Sequence, residues 1–148
     1  MRRFAADGQT AAGTTLTIAE LVAATTARAS IYDIIISSDA TPADVATEFN
    51  IIRGTVSGTP TTTVTPRPLD PADAASALSF EVGTFATQTK TANSSLLNIA
   101  LNQRATFRWV AVPDGEFIVP ATSDNWVGLE SIASGGTPNI NVSFHWQE

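Results

Sequence analysis

The residues that could do chemistry are few. The chain holds one histidine, His145, and no cysteine, which removes disulfides, thiolate zinc sites and cysteine nucleophiles together. His145 stands on the polar side of an alternating run at the end of the chain, without a nucleophile or metal ligand beside it, and reads as an exposed polar residue. No serine occupies a G-x-S-x-G elbow, and no grouping of His with carboxylates has zinc spacing. Neither a G-x-x-x-x-G-K-[ST] loop nor a G-x-G-x-x-G loop is present to cradle phosphates. The expectation is a protein that is not an enzyme and needs no cofactor or metal.

Paired carboxylates do occur, as Asp39 with Asp44, Asp70 with Asp73, and Asp114 with Glu116. Two carboxylates can cleave a glycosidic bond or bind calcium. All three pairs lie in or beside turns, where Asp caps local backbone, so their reading is structural. Trp109, Trp126 and Trp146, with Tyr32, could form a sugar-stacking platform or a packed interior. Trp146 shares an apolar parity with Ile140, Val142 and Phe144, and Trp109 shares one with Phe107, which favours core or subunit interface for both. Trp126 fits either reading. The Asn93-Ser94-Ser95 and Asn141-Val142-Ser143 triplets match the glycosylation pattern, but no secretion signal accompanies them.

The elements that would position these residues are strands. With 148 residues and 43% hydrophobic content the chain suits one domain, and Thr, Ser and Asn dominate its polar part, a β-branched bias towards pleated sheet. A net charge of −6 argues against nucleic acid as a partner. The absence of a bilayer-length apolar run argues against membrane insertion, and the chain is expected to be made as a soluble cytoplasmic product. Residues 14–22, 30–38, 47–56, 62–65, 79–85, 94–101, 105–112, 116–120, 125–131 and 139–147 read as strands by parity and turn signals. Residues 105–120 form the firmest expected hairpin, around Pro113-Asp114-Gly115. Pro66 to Asp73 reads as an exposed irregular excursion. The fold class is therefore all-β: a single jelly-roll-like antiparallel β-sandwich over residues 14–148, with an immunoglobulin-like sandwich as the nearest rival.

Residues 1–13 show little strand or helix signal and are expected to form an N-terminal arm. Arg2, Arg3 and Phe4 combine two guanidinium forks with an aromatic anchor, residue types enriched at interface hot spots. The polar Gly8 to Gly13 stretch would be its tether. These three are the expected binding residues, contacting a neighbouring subunit or a larger assembly.

Three segments carry a resemblance: Ile31-Tyr32-Asp33 through Ser38-Asp39-Ala40-Thr41-Pro42-Ala43-Asp44, Val64-Thr65-Pro66 through Leu69-Asp70-Pro71-Ala72-Asp73, and Leu101-Asn102-Gln103-Arg104-Ala105-Thr106-Phe107-Arg108-Trp109-Val110-Ala111. With Gly115-Glu116 and Val119-Pro120-Ala121-Thr122 they resemble the bacteriophage capsid decoration, or cement, proteins. The resemblance implies a jelly roll, a homotrimer on the outside of an icosahedral head, the major capsid protein as partner, and no catalytic centre. Apolar residues on both parities of several strands, more than one small sandwich needs to cover, also point to a trimer. The virion exterior would be its location after synthesis in the host cytoplasm. The alternative is a trimeric tail-fibre or receptor-binding β-sandwich that recognises host glycan through exposed aromatics.

Overall fold

The unbroken alternation of Asn139–Gln147 becomes the last strand of the computed structural model, with Ile140, Val142, Phe144 and Trp146 all buried. The structure describes residues 1–39 and 41–148. Ala40, in the reversal expected between Ser38 and Asp44, lies outside the described residues. In chain order the strands are β1 (Arg3–Ala11), β2 (Leu16–Val22), β3 (Ala29–Asp39), β4 (Ala46–Val56), β5 (Thr59–Val64), β6 (Arg67–Pro68) and β7 (Ser79–Ala86). Then come β8 (Thr89–Lys90), β9 (Leu97–Asn102), β10 (Phe107–Val110), β11 (Phe117–Val119), β12 (Trp126–Ser134) and β13 (Asn139–Gln147).

The antiparallel pairs nest. β1 pairs with β13, β2 with β12, β3 with both β10 and β11, and β4 with β9. This is one long ribbon doubled back on itself, and it rolls up because β13 also pairs with β3 and β12 with β4. That arrangement is the jelly roll. The stretch between β4 and β9 widens it: β6 joins β1 in the first sheet, β7 joins β2 in the second, β5 lies outside β7, and β8 extends along β4.

Between the sheets the core is aromatic and branched aliphatic. Phe4 stacks on Trp146 with centroids 5.9 Å apart, and Phe80 meets Phe144 edge-on at 5.5 Å. Burying each such side chain contributes about 1.5–3 kcal/mol. A second, smaller core lies on the outer face of the second sheet, where Val22, Ile52 and Trp126 pack together. The Trp126 indole lies over Gly54, where any Cβ would collide with its ring, and Nε1 donates to the Val56 carbonyl at 3.0 Å. Val22 and Ile52 are thus covered within the chain.

Two expectations are corrected. Residues 1–13 are not a separate arm: Arg3–Ala11 is paired along its whole length with β13, from Arg3 with Gln147 to Ala11 with Asn139, and Phe4 is fully buried. Alternate small inward residues, Ala6, Gly8 and Thr10, let β1 lie close over β7, and they hide the strand from a hydrophobic pattern. Residues 105–120 are not a hairpin either. β10 pairs with Ile36 to Asp33 and β11 with Ile31 to Ala29, so both lie end to end on one edge of β3. The eleven-residue β3 has length for both, and Pro113-Asp114-Gly115 makes only a local excursion, closed by Gly115 N–H to the Val112 carbonyl at 2.9 Å. Trp109 stacks on Phe117 across it, with centroids 4.1 Å apart.

Because Phe4 is core, Phe4→Ala should lower stability by about 3–5 kcal/mol, as large-to-small core changes do. Thermal denaturation would show it as a fall in Tm of roughly 10 °C for a chain of this length. An unchanged Tm would return Phe4 to a surface role.

Candidate functional site

Two of the segments that carry the resemblance meet at one end of the sandwich. Pro42 keeps Thr41 out of helical geometry, so the chain turns between β3 and β4. Some sixty residues later it turns again between β9 and β10. Gln103 joins the two corners. Its Oε1 accepts from Ala43 N–H at 3.0 Å, its Nε2 donates to Thr47 Oγ1 at 3.2 Å, and its own N–H donates to the Val45 carbonyl at 3.0 Å. Ser38 Oγ donates to its carbonyl. Asn102 Nδ2 donates to Asp44 Oδ1 at 2.6 Å, and Arg104 Nε to the Pro42 carbonyl at 3.4 Å. Gln103 is only 5% exposed, and a buried amide hydrogen-bonded through both its oxygen and its nitrogen fixes its surroundings. The described residues of the two corners are therefore tied into one surface, with Val45 standing exposed on it.

The outer face of the first sheet carries a charged network. Asp33, buried in the middle of β3, accepts both Arg108 Nε at 3.0 Å and Arg108 Nη2 at 2.6 Å. His145 Nδ1 lies 3.5 Å from the same carboxylate, and its ring is tilted against Tyr32 at 6.2 Å. Burial raises the Tyr32 phenol above its ordinary pKa, against the pull of Arg3 and with a push from Asp33. The Arg3 guanidinium sits 5.9 Å from the Tyr32 ring centroid. His145 thus has a charged neighbourhood that its place in the sequence did not announce.

The three residues expected to bind a partner go to different places. Phe4 is interior. Arg2 turns to the chain's own other end: Arg2 and Glu148 exchange backbone hydrogen bonds of 3.1 and 2.9 Å, and Arg2 Nη2 lies 3.5 Å from Glu148 Oε2. Arg3 remains exposed. The three turn-borne carboxylate pairs do not converge on a shared cleft: Asp44 is held by Asn102, Asp70 Oδ1 caps Ala72 N–H at 2.9 Å, and Asp114 sits at φ 63° in its turn. Among the described residues no Trp, Tyr or Phe is exposed, and no group of three or more His, Asp or Glu is arranged to hold a metal ion.

The carboxylates that do converge are others, on the outer face of the second sheet. Glu20 and Glu81 are cross-strand neighbours. Gln88 donates to Glu20, Thr17 Oγ1 donates to Gln88 Oε1 at 2.7 Å, and Lys90 pairs with Glu130. The side chains of Gln88 and Lys90, beside and within β8, thus reach across the face. Glu20 is fully buried, and burial, with the adjacent Glu81, pushes its pKa up to about 9. Burial raises Glu81 as well. The one sequence signal for Glu20 is a lone acid inside the apolar run Ile18 to Val22, and Asp33 has the same signal within Ile31 to Ile36. Gln103 has none.

Comparison with protein-family models, curated proteins and solved structures finds no match.

Glu20 sets a sign for pH dependence. Its folded-state value lies above the ordinary 4.5, so the folded chain holds a proton that the unfolded chain has released. Its contribution is complete below about pH 4.5 and is lost as pH rises towards about 9, by at most about 1.4 kcal/mol per pH unit. Glu20→Gln, which mimics the protonated acid, should raise Tm at pH 8 and leave it nearly unchanged at pH 4. Equal shifts at both pH values would show that Glu20 is ionised throughout.

Proposed function

We propose that this chain is a capsid decoration protein, which binds the outside of an icosahedral phage head and cements neighbouring subunits of the major capsid protein. The observation that carries the reading is the Gln103 corner. Ser38 and Pro42 to Asp44, from one segment that resembles decoration proteins, and Asn102 to Arg104, from another, are tied together around a buried side chain. A surface fixed before binding loses little conformational entropy on docking, which suits a protein that must occupy many identical sites. Exposed Val45 gives that surface an apolar centre, flanked by Asp44 and Arg104.

A cement protein raises the cost of separating capsid subunits by adding interface area across their boundary. Trimer valency multiplies the affinity of a modest single contact. The trimer follows from the resemblance. The glycan-binding alternative has less support, since its exposed aromatic platform is missing among the described residues.

Val45→Arg places a charge on the corner while keeping the backbone carbonyl that accepts from Gln103 N–H. Its occupancy on undecorated heads, read by sedimentation and gel densitometry, should fall at least about tenfold, the effect of removing an interface hot spot, while its Tm stays that of the wild type. Full occupancy by the variant would remove the corner from the contact. Native mass spectrometry of the free protein should give a trimer, and a monomer at micromolar concentration would contradict that part.

A further inference from the structure

In the first sheet, β1 ends the array beyond the point where two-residue β6 stops. Arg2 and Glu148 exchange both backbone bonds, and Ala12 N–H reaches the Pro138 carbonyl, so even-numbered residues of β1 address β13 and odd-numbered ones face the other way. Arg3 confirms the parity, because its carbonyl accepts Leu69 N–H at 2.8 Å on the far side. The N–H and C=O groups of Asp7, Gln9 and Ala11 therefore point into a lane where no described strand lies.

The second sheet continues beneath that lane. β7 and β5 project past β1, and Thr62 and Val64 of β5 pair with Val82 and Phe80 of β7, which are core residues. Thr62 and Val64 share their inward direction, yet Thr62 is exposed and Val64 only half-buried. The inward residues of β1 repeat the pattern: Phe4 and Ala6 are buried, Gly8 and Thr10 only partly. A cleft of about 220 Å³ runs between Gly8, Thr10, Thr62, Val64 and Val82. Natural edges are blunted by proline, lysine or a bulge, as β5 is by Pro60 and the register shift beside it. Between Asp7 and Ala11 β1 has none of these, and Asp7 is the only charge in that stretch.

We infer that this lane is a slot for one extended segment of a partner, which adds a strand to β1 and closes the sandwich over β5. On the reading proposed above, on which this inference rests, the segment is a tail or arm of a capsid subunit. It hydrogen-bonds Asp7, Gln9 and Ala11, a span of about 14 Å at strand rise. Small or β-branched side chains at alternate positions face Val64 and Val82, and a basic residue on the other parity suits Asp7. A second folded copy does not fit, because an edge-to-edge pair of β1 strands would drive the projecting β5–β7 flap of each copy into the other. The occupant is a strand without a domain directly behind it.

Gln9→Pro and Ala11→Pro each delete one donor that faces the slot and leave the bonds to β13 intact. Amide exchange supplies a readout that does not depend on how the variants fold. In the free protein Ala6, Gly8 and Thr10 amides should be protected while Asp7, Gln9 and Ala11 exchange freely. On decorated heads all six should be protected, and occupancy by either proline variant should fall tenfold or more. Wild-type occupancy by both variants, or Asp7, Gln9 and Ala11 amides still exchanging on the heads, overturns the slot and leaves the decoration reading standing. Protection of those three amides in the free protein overturns it in favour of self-association. Heads that the wild type leaves bare overturn both readings.

Discussion

The pairing of the first strand with the last holds the rest of the structure in place. β1 and β13 match residue for residue from Arg3 with Gln147 to Ala11 with Asn139, and Glu148 is further held by Ser76, Ala77 and Trp146 at 2.5–3.3 Å. Phe4 on Trp146 seals one end of the core from this pair. With the ends tied, every inner pair of the ribbon must nest inside them, and the chain has little choice but to roll. Contacts between residues more than a hundred positions apart form only after long loops close, so the pairing also makes this a slow-folding topology.

How legible each strand was depends on where its partners lie. β13 was plain because its alternation is set by large side chains within the strand itself. β1 alternates too, but its inward residues after Phe4 are Ala6, Ala-sized or smaller Gly8, and Thr10, which pack against β7 without announcing it. The region 105–120 carried a sound local turn signal, and a long neighbour overrode it: β3 took both halves on one edge. Proline in Arg67-Pro68 argued against a central strand, and β6 is accordingly a two-residue edge pairing.

The polar sites divide the same way. Lone acids in apolar runs, Glu20 and Asp33, are visible as anomalies, though what each one meets is not. Glu20 finds Glu81 and Gln88 from 61 and 68 positions later, and Asp33 finds Arg108 and His145. Gln103 sits in an ordinary polar turn, and its partners at residues 38, 43, 45 and 47 come from the opposite corner. A buried amide of this kind is defined wholly by tertiary structure. Each outer face of the sandwich thus gains one buried polar cluster, while the contacts proposed above lie at the end and along the open edge, where loops and unpaired backbone are presented.

Decoration of a capsid is the central claim, and a reconstruction of purified heads by electron cryomicroscopy tests it most directly. The account predicts a β-sandwich at symmetry-related positions on the outer surface, astride the boundary between capsid subunits, with the Gln103 corner or the β1 edge turned towards the shell. Heads with a bare outer surface, or the same sandwich found only at the tips of tail fibres, would contradict it.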